Sequence, residues 1–165
     1  MKKSLAILSL LALLVIAGCG KSISVGEYND SLVAVVKECT DSTQELFNIF
    51  QLEDSTLDFI KETLDNSIEI CKNAETKASK LWDFENDSSL KDAVVKLLSM
   101  EVDYLQKFWS TSNYRNIDDI TDADKVAYNS VVNDLYTSEE SLKDQFTSLL
   151  DVQEAFATKH RLRLE

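Results

Sequence analysis

Reactive side chains are few here: three cysteines, one histidine, and acids spread along 165 residues. Cys39 and Cys71 lack the close CxxC spacing of redox dithiols, which leaves three roles open: a structural disulfide, a reactive or ligand-binding thiol pair, or two reduced core residues. His160 stands in a basic stretch with no second histidine, so the paired Glu-x-x-His motifs of di-metal bundles are missing. It also has no glycine-framed serine or other nucleophile that it would serve as base. Asp118, Asp119, Asp122 and Asp124 form the densest acidic group; oxygen ligands suit calcium, but the glycine and distal glutamate of an EF-hand loop are absent. Acids at a helix start are explained by its dipole. Pairs such as Glu101 with Asp103, or Glu139 with Glu140, fit a solvated helix face better than a general acid and base. The expectation is a chain without catalysis, bound metal or cofactor.

The N-terminus carries a different kind of chemistry. Lys2 and Lys3 precede an apolar run from Leu5 to Ile16, which closes on Ala17 and Gly18 before Cys19. That order is a secretory signal, and its run falls short of the roughly 20 residues of a spanning helix. Ile16-Ala17-Gly18-Cys19 resembles the lipobox of bacterial lipoproteins. The resemblance implies cleavage before Cys19, a diacylglycerol on its sulfur and usually an acyl chain on the new amino group. Gly20, in place of the aspartate that retains many lipoproteins at the inner membrane, points by the same resemblance to the outer membrane. In a single-membrane bacterium the same signal implies the outer face of the cell membrane.

Removing residues 1–18 from the 165 leaves 147, enough for one domain with a core of its own. Fifteen basic residues then face all 29 acidic ones, a formal charge of −14. Such a surface repels phosphate and disfavours nucleic acid as a partner. The expected organisation is a signal peptide over 1–18, a lipidated start and short tether over 19–26, a helical bundle over 27–158 and a basic tail over 159–165.

No proline occurs, and no glycine follows Gly26, so long helices are expected. Tyr28, Leu32, Val35, Cys39, Ser42, Leu46 and Ile49 step by three and four; Leu57, Ile60, Leu64, Ser67, Cys71, Ala74, Ala78 and Leu81 do the same. Asp54 or Ser55 is placed to cap the second helix. A third helix, starting at Asp87 or Ser88 and ending near Arg115, is expected to bury Leu90, Val94, Leu97, Leu98, Val102, Leu105, Phe108 and Trp109. The fourth opens on Thr121 with Asp124 three residues on, and its stripe runs through Val131, Leu135, Leu142, Phe146, Leu149, Val152 and Phe156. Thr137 with Glu140 offers a second cap, so a break between residues 137 and 141 is an alternative to one continuous rod. Four amphipathic helices with short links predict an all-α, antiparallel up-down-up-down four-helix bundle.

On that fold Cys39 and Cys71 face each other across the first hairpin, and an exported, oxidising compartment favours their disulfide. The end away from the anchor gathers Phe47, Phe50, Phe59, Tyr104, Phe108 and Trp109, with Tyr114 and Tyr128 nearby, as core, docking surface or lining of an apolar pocket. The other end brings back Lys159, Arg161 and Arg163, which either meet lipid headgroups or serve the helix C-terminus. The functional expectation is a lipid-anchored structural or protein-interaction module of the bacterial envelope, with an envelope protein as partner. The alternative is a binder of a small apolar or aromatic ligand in the distal aromatic cluster. Oligomeric state is not encoded legibly.

Overall fold

A computed structural model describes residues 23–52, 54–112 and 121–162. The signal segment with Cys19, the link carrying Tyr114, Arg115, Asp118 and Asp119, and Arg163 lie outside the described residues. Four helices follow in order: α1 Val25–Phe50, α2 Leu57–Ser79, α3 Ser89–Ser112 and α4 Asp122–His160. They form an antiparallel bundle in which α1 packs on α2, α2 on α3 and α3 on α4, while α1 also leans across the diagonal onto α3.

Helix ends follow local chemistry. α1 begins two residues before the bundle boundary expected at residue 27, because Ser24 and Glu27 form a reciprocal capping box around Gly26. The Glu27 amide donates to Ser24 Oγ at 3.2 Å, and the Ser24 amide donates to Glu27 Oε2 at 2.8 Å. The cap of α2 is Thr56 rather than Asp54 or Ser55; Ser55 Oγ instead donates to the Ile49 carbonyl and closes the end of α1. Thr121 and Asp124 cap α4 as expected. α4 then runs unbroken for 39 residues, about 58 Å at the usual helical rise. The break considered near residues 137–141 does not form. Thr137 Oγ1 donates to the Asn133 carbonyl and Ser141 Oγ to the Thr137 carbonyl, so both hydroxyls fold back onto the helix instead of capping a new one.

The core rests mainly on the first three helices. Tyr28, Leu32, Cys39 and Leu46 of α1 meet Ile60, Leu64, Cys71, Ala74 and Ala78 of α2 and Leu90, Val94, Leu98 and Leu105 of α3. α1 and α2 approach closely. Cys39 and Cys71 are joined by a disulfide with their Cα atoms 4.6 Å apart, and next to it the buried Ser67 Oγ donates to the Ser42 carbonyl at 3.0 Å. Small residues at these positions, with Ala74 and Ala78 beyond, let the two backbones come nearer than the usual 8 to 10 Å between helix axes allows bulkier pairs. α4 is held differently. Of its described apolar side chains only Leu149, Phe156 and Ala157 are fully buried, and Phe146, expected in the core, is 48% exposed. α1 drawn toward α2 and α3 leaves that stretch of α4 facing a gap.

Closing a loop of 32 residues stabilises the fold by about 3.5 to 4 kcal/mol in the chain-entropy description. Chemical denaturation with and without reductant should therefore show a loss of that order. A change under about 1 kcal/mol would mean that packing alone sets the α1–α2 contact.

Candidate binding groove

The sequence-predicted site residues divide among three places in the bundle. Cys39 and Cys71 are buried in their disulfide, which leaves no thiol for redox or ligand chemistry in this form. Phe47, Phe50, Tyr104 and Phe108 do gather at the far end. Phe108 packs edge-on against Phe47 and Phe50, with ring centroids 5.1 and 4.8 Å away, and Tyr104 stands 6.1 Å from Phe47. Phe59 is separate and half exposed, and Trp109 lies at the core's edge with the Lys61 ammonium 5.6 Å above its ring. Beside the filled cluster is a hollow of about 480 Å³ between Phe50, Phe108 and Thr111 and the α4 residues Tyr128, Val132, Leu135 and Tyr136.

The basic end is not a loose tail. Lys159 and His160 are the last helical residues of α4, and Leu162 comes back beside Gly26 at the start of α1. Lys159 Nζ pairs with Asp87 Oδ2 at 2.7 Å, and the buried His160 ring sets Nε2 3.1 Å from Asp87 Oδ2 and Nδ1 3.1 Å from Glu85 Oε2. Of the remaining headgroup candidates, Arg161 is exposed in the left-handed cap of α4 and Arg163 lies outside the described residues.

His160 therefore has acidic neighbours that its sequence surroundings do not reveal. They arrive on a tight turn, Phe84-Glu85-Asn86-Asp87, whose central residues have φ of 50° and 64° and whose ends are joined by the Asp87 amide donating to the Phe84 carbonyl at 2.8 Å. A glutamate in the left-handed region costs about 1 kcal/mol, offset here by the contact with His160 and by Phe84 packing. Phe84 and Phe156 pack against the imidazole and Tyr28 packs on both of them, making a second aromatic cluster at the end where α1 begins. Burial and the nearby acids Asp83, Asp87 and Asp92 push the Tyr28 phenol up to about 12. Both imidazole nitrogens face carboxylates, so neither is turned to a hydroxyl as a base would be. Among the described residues no group of three or more His, Cys, Asp or Glu side chains is arranged to hold a metal ion.

The gap between α1 and α4 is the feature that the sequence did not announce. At the end where α1 begins it is closed by Gln153 Nε2 donating to Asn29 Oδ1 at 2.8 Å. Above this clasp the helices diverge over a floor made by Leu90 and Val94 of α3. The lower chamber holds about 410 Å³ and is walled by Leu32, Val33 and Val36 on one side and Phe146, Leu149 and Leu150 on the other. Thr40 and Phe146 also border a second chamber of about 460 Å³, reaching Thr43, Gln44, Phe47, Leu97, Glu101, Leu142, Lys143 and Thr147. The lips are apolar and wet: Val33, Phe146 and Leu150 are each close to half exposed.

Charge is confined to the rim and one end. Lys37 pairs with Asp41 on α1 at 2.5 Å, and Lys143 with Glu139 on α4 at 2.6 Å. In the upper chamber, burial raises the Glu101 carboxyl above its ordinary range. Thr43, only 6% exposed, has a hydroxyl with no hydrogen-bond partner; the Glu101 carboxyl is near enough to feel it without the geometry of a bond. Glu101, expected on a solvated helix face, is instead partly buried here, and nothing in the sequence marks Thr43.

The Asp87 clasp makes a pH prediction. Lys159, then Ser89, hold its carboxyl far below the usual aspartate range. A lowered folded-state value stabilises fully above the unfolded pKa of about 4 and is lost as pH falls from there toward the folded one. Asp87→Asn should cost about 2 to 3 kcal/mol at neutral pH and flatten the loss of stability in acid, as followed by urea unfolding. Equal stability of parent and variant at neutral pH would count against the clasp.

No family model, curated protein or solved structure matches this chain.

Proposed function

We propose that this chain is a lipid-anchored, extracytoplasmic binding module of the bacterial envelope, acting without catalysis and meeting its ligand or partner in the α1–α4 groove. The observation that carries the reading is the groove itself: an apolar channel left open along a bundle that otherwise packs helix on helix, with Val33, Phe146 and Leu150 at its lips. Contiguous exposed apolar surface of this kind is uncommon on monomers and marks interaction sites. Anchoring rests on the lipobox resemblance at Ile16-Ala17-Gly18-Cys19, which puts a diacylglycerol on Cys19. Among the described residues no helix is long and apolar enough to cross a membrane.

A second reading keeps the distal aromatic end as the site. It is favoured by the hollow beside Phe50 and Phe108. Against it, Phe47, Phe50, Tyr104 and Phe108 spend their faces on one another, which is ordinary aromatic core packing.

Affinity capture of the lipidated protein from native envelope, followed by mass spectrometry of proteins and small molecules, separates the two. Phe146→Asp alters a half-exposed lip of the groove, and Tyr136→Asp alters an exposed wall of the distal hollow. A stoichiometric companion lost with Phe146→Asp and kept with Tyr136→Asp is the expected result. Loss only with Tyr136→Asp would move the site to the distal end, and a companion indifferent to both would remove the groove from function.

A further inference from the structure

We propose that the groove takes a single-chain amphiphile, its apolar chain in the lower chamber and a hydrogen-bond-donating, preferably ammonium, head between Thr43 and Glu101. This rests on the groove being the recognition surface. The lower chamber is apolar along its length and polar at both limits, the Asn29–Gln153 amide clasp at one end and the Lys37–Asp41 pair by Thr40 at the other. From Asn29 to Asp41 the α1 axis rises about 18 Å, close to the roughly 15 Å that one leaflet gives an acyl chain. Its 410 Å³ spread over that rise give a mean cross-section of only about 23 Å², so the channel is narrow. It admits an extended chain more readily than the 10 to 12 Å girth of a helix.

The upper chamber supplies the head's partners. A buried hydroxyl without a partner is a costly thing for a fold to keep, and Thr43, a residue of the chamber wall, holds its Oγ1 in that state just beneath the surface. Glu101 lies in the same chamber with its ionisation opposed by burial, while the nearest cation on α4, Lys143, is already paired with Glu139. A donor head between them would hydrogen-bond to Thr43 Oγ1 and to the Glu101 carboxylate together, and a positive one would also neutralise Glu101. A carboxylate head would set two like charges side by side.

The test uses the full chain carrying Cys19→Ser, so that no covalent lipid competes, titrated calorimetrically with dodecylammonium or dodecanoate below their micelle concentrations. Saturable one-to-one binding of dodecylammonium is expected, tightening roughly three- to fourfold per added methylene until the chamber is filled. Glu101→Gln should weaken it about tenfold, the worth of a charge-assisted hydrogen bond, and dodecanoate should bind at least about tenfold more weakly than dodecylammonium. Equal binding of the two heads, or no effect of Glu101→Gln, would overturn the assignment of the head site. Absence of saturable binding would overturn the ligand class. If Phe146→Asp nevertheless removes a native companion in the envelope capture, the groove survives as the recognition surface and only the amphiphile falls; if it does not, both fall.

Discussion

The covalent tie between Cys39 and Cys71 sets the geometry from which the rest of this bundle follows. It brings two helix backbones to 4.6 Å at one level, and serine and alanine positions above and below accept that closeness without steric conflict. A helix drawn so far to one side cannot fill the space on its other side. α1 therefore shares its buried face with α2 and α3, and α4 is left to pack chiefly on α3. The groove is the remainder of that arrangement, and its apolar lips are the residues of α1 and α4 that a square bundle would have buried.

Polar contacts at both ends keep α4 in register despite its one-sided packing. At the end where α1 begins, the Asn29–Gln153 amide pair and the Lys159–Asp87–His160–Glu85 cluster fasten it to α1 and to the α2–α3 turn. Toward the other end Lys107 Nζ donates to Ser138 Oγ across the α3–α4 face. Each is specific in direction, unlike apolar contact, so together they fix where α4 sits along the bundle while the middle stays open. Groove and clasps are thus two parts of one solution: the ends hold, and the centre is free to receive a ligand.

Much of the fold was legible in the sequence because it rests on local rules. Apolar spacing identified the four helices, Thr121 with Asp124 announced the start of α4, and symmetry about the first hairpin paired Cys39 with Cys71. The same capping pattern starts α1 at Ser24 and Glu27, where Gly26 suggests a tether, but not the alternative helix start at Thr137 and Glu140, where the Thr137 and Ser141 hydroxyls turn back onto the helix. What was not legible depends on tertiary placement. His160 meets Glu85 only because two non-glycine residues adopt left-handed backbone, and no composition signal marks that turn. Phe146 belongs to an apolar stripe, but a stripe says which face turns inward and not whether a partner helix reaches it.

Methyl NMR of the oxidised protein with a soluble paramagnetic probe tests the open seam most directly. Val33 and Leu150 methyls should relax strongly while those of Leu64 and Leu98 stay protected, since the first pair stands at the lips and the second in the core. Equal protection of all four would mean that α1 and α4 close on each other in solution, and the account built on their separation would be contradicted.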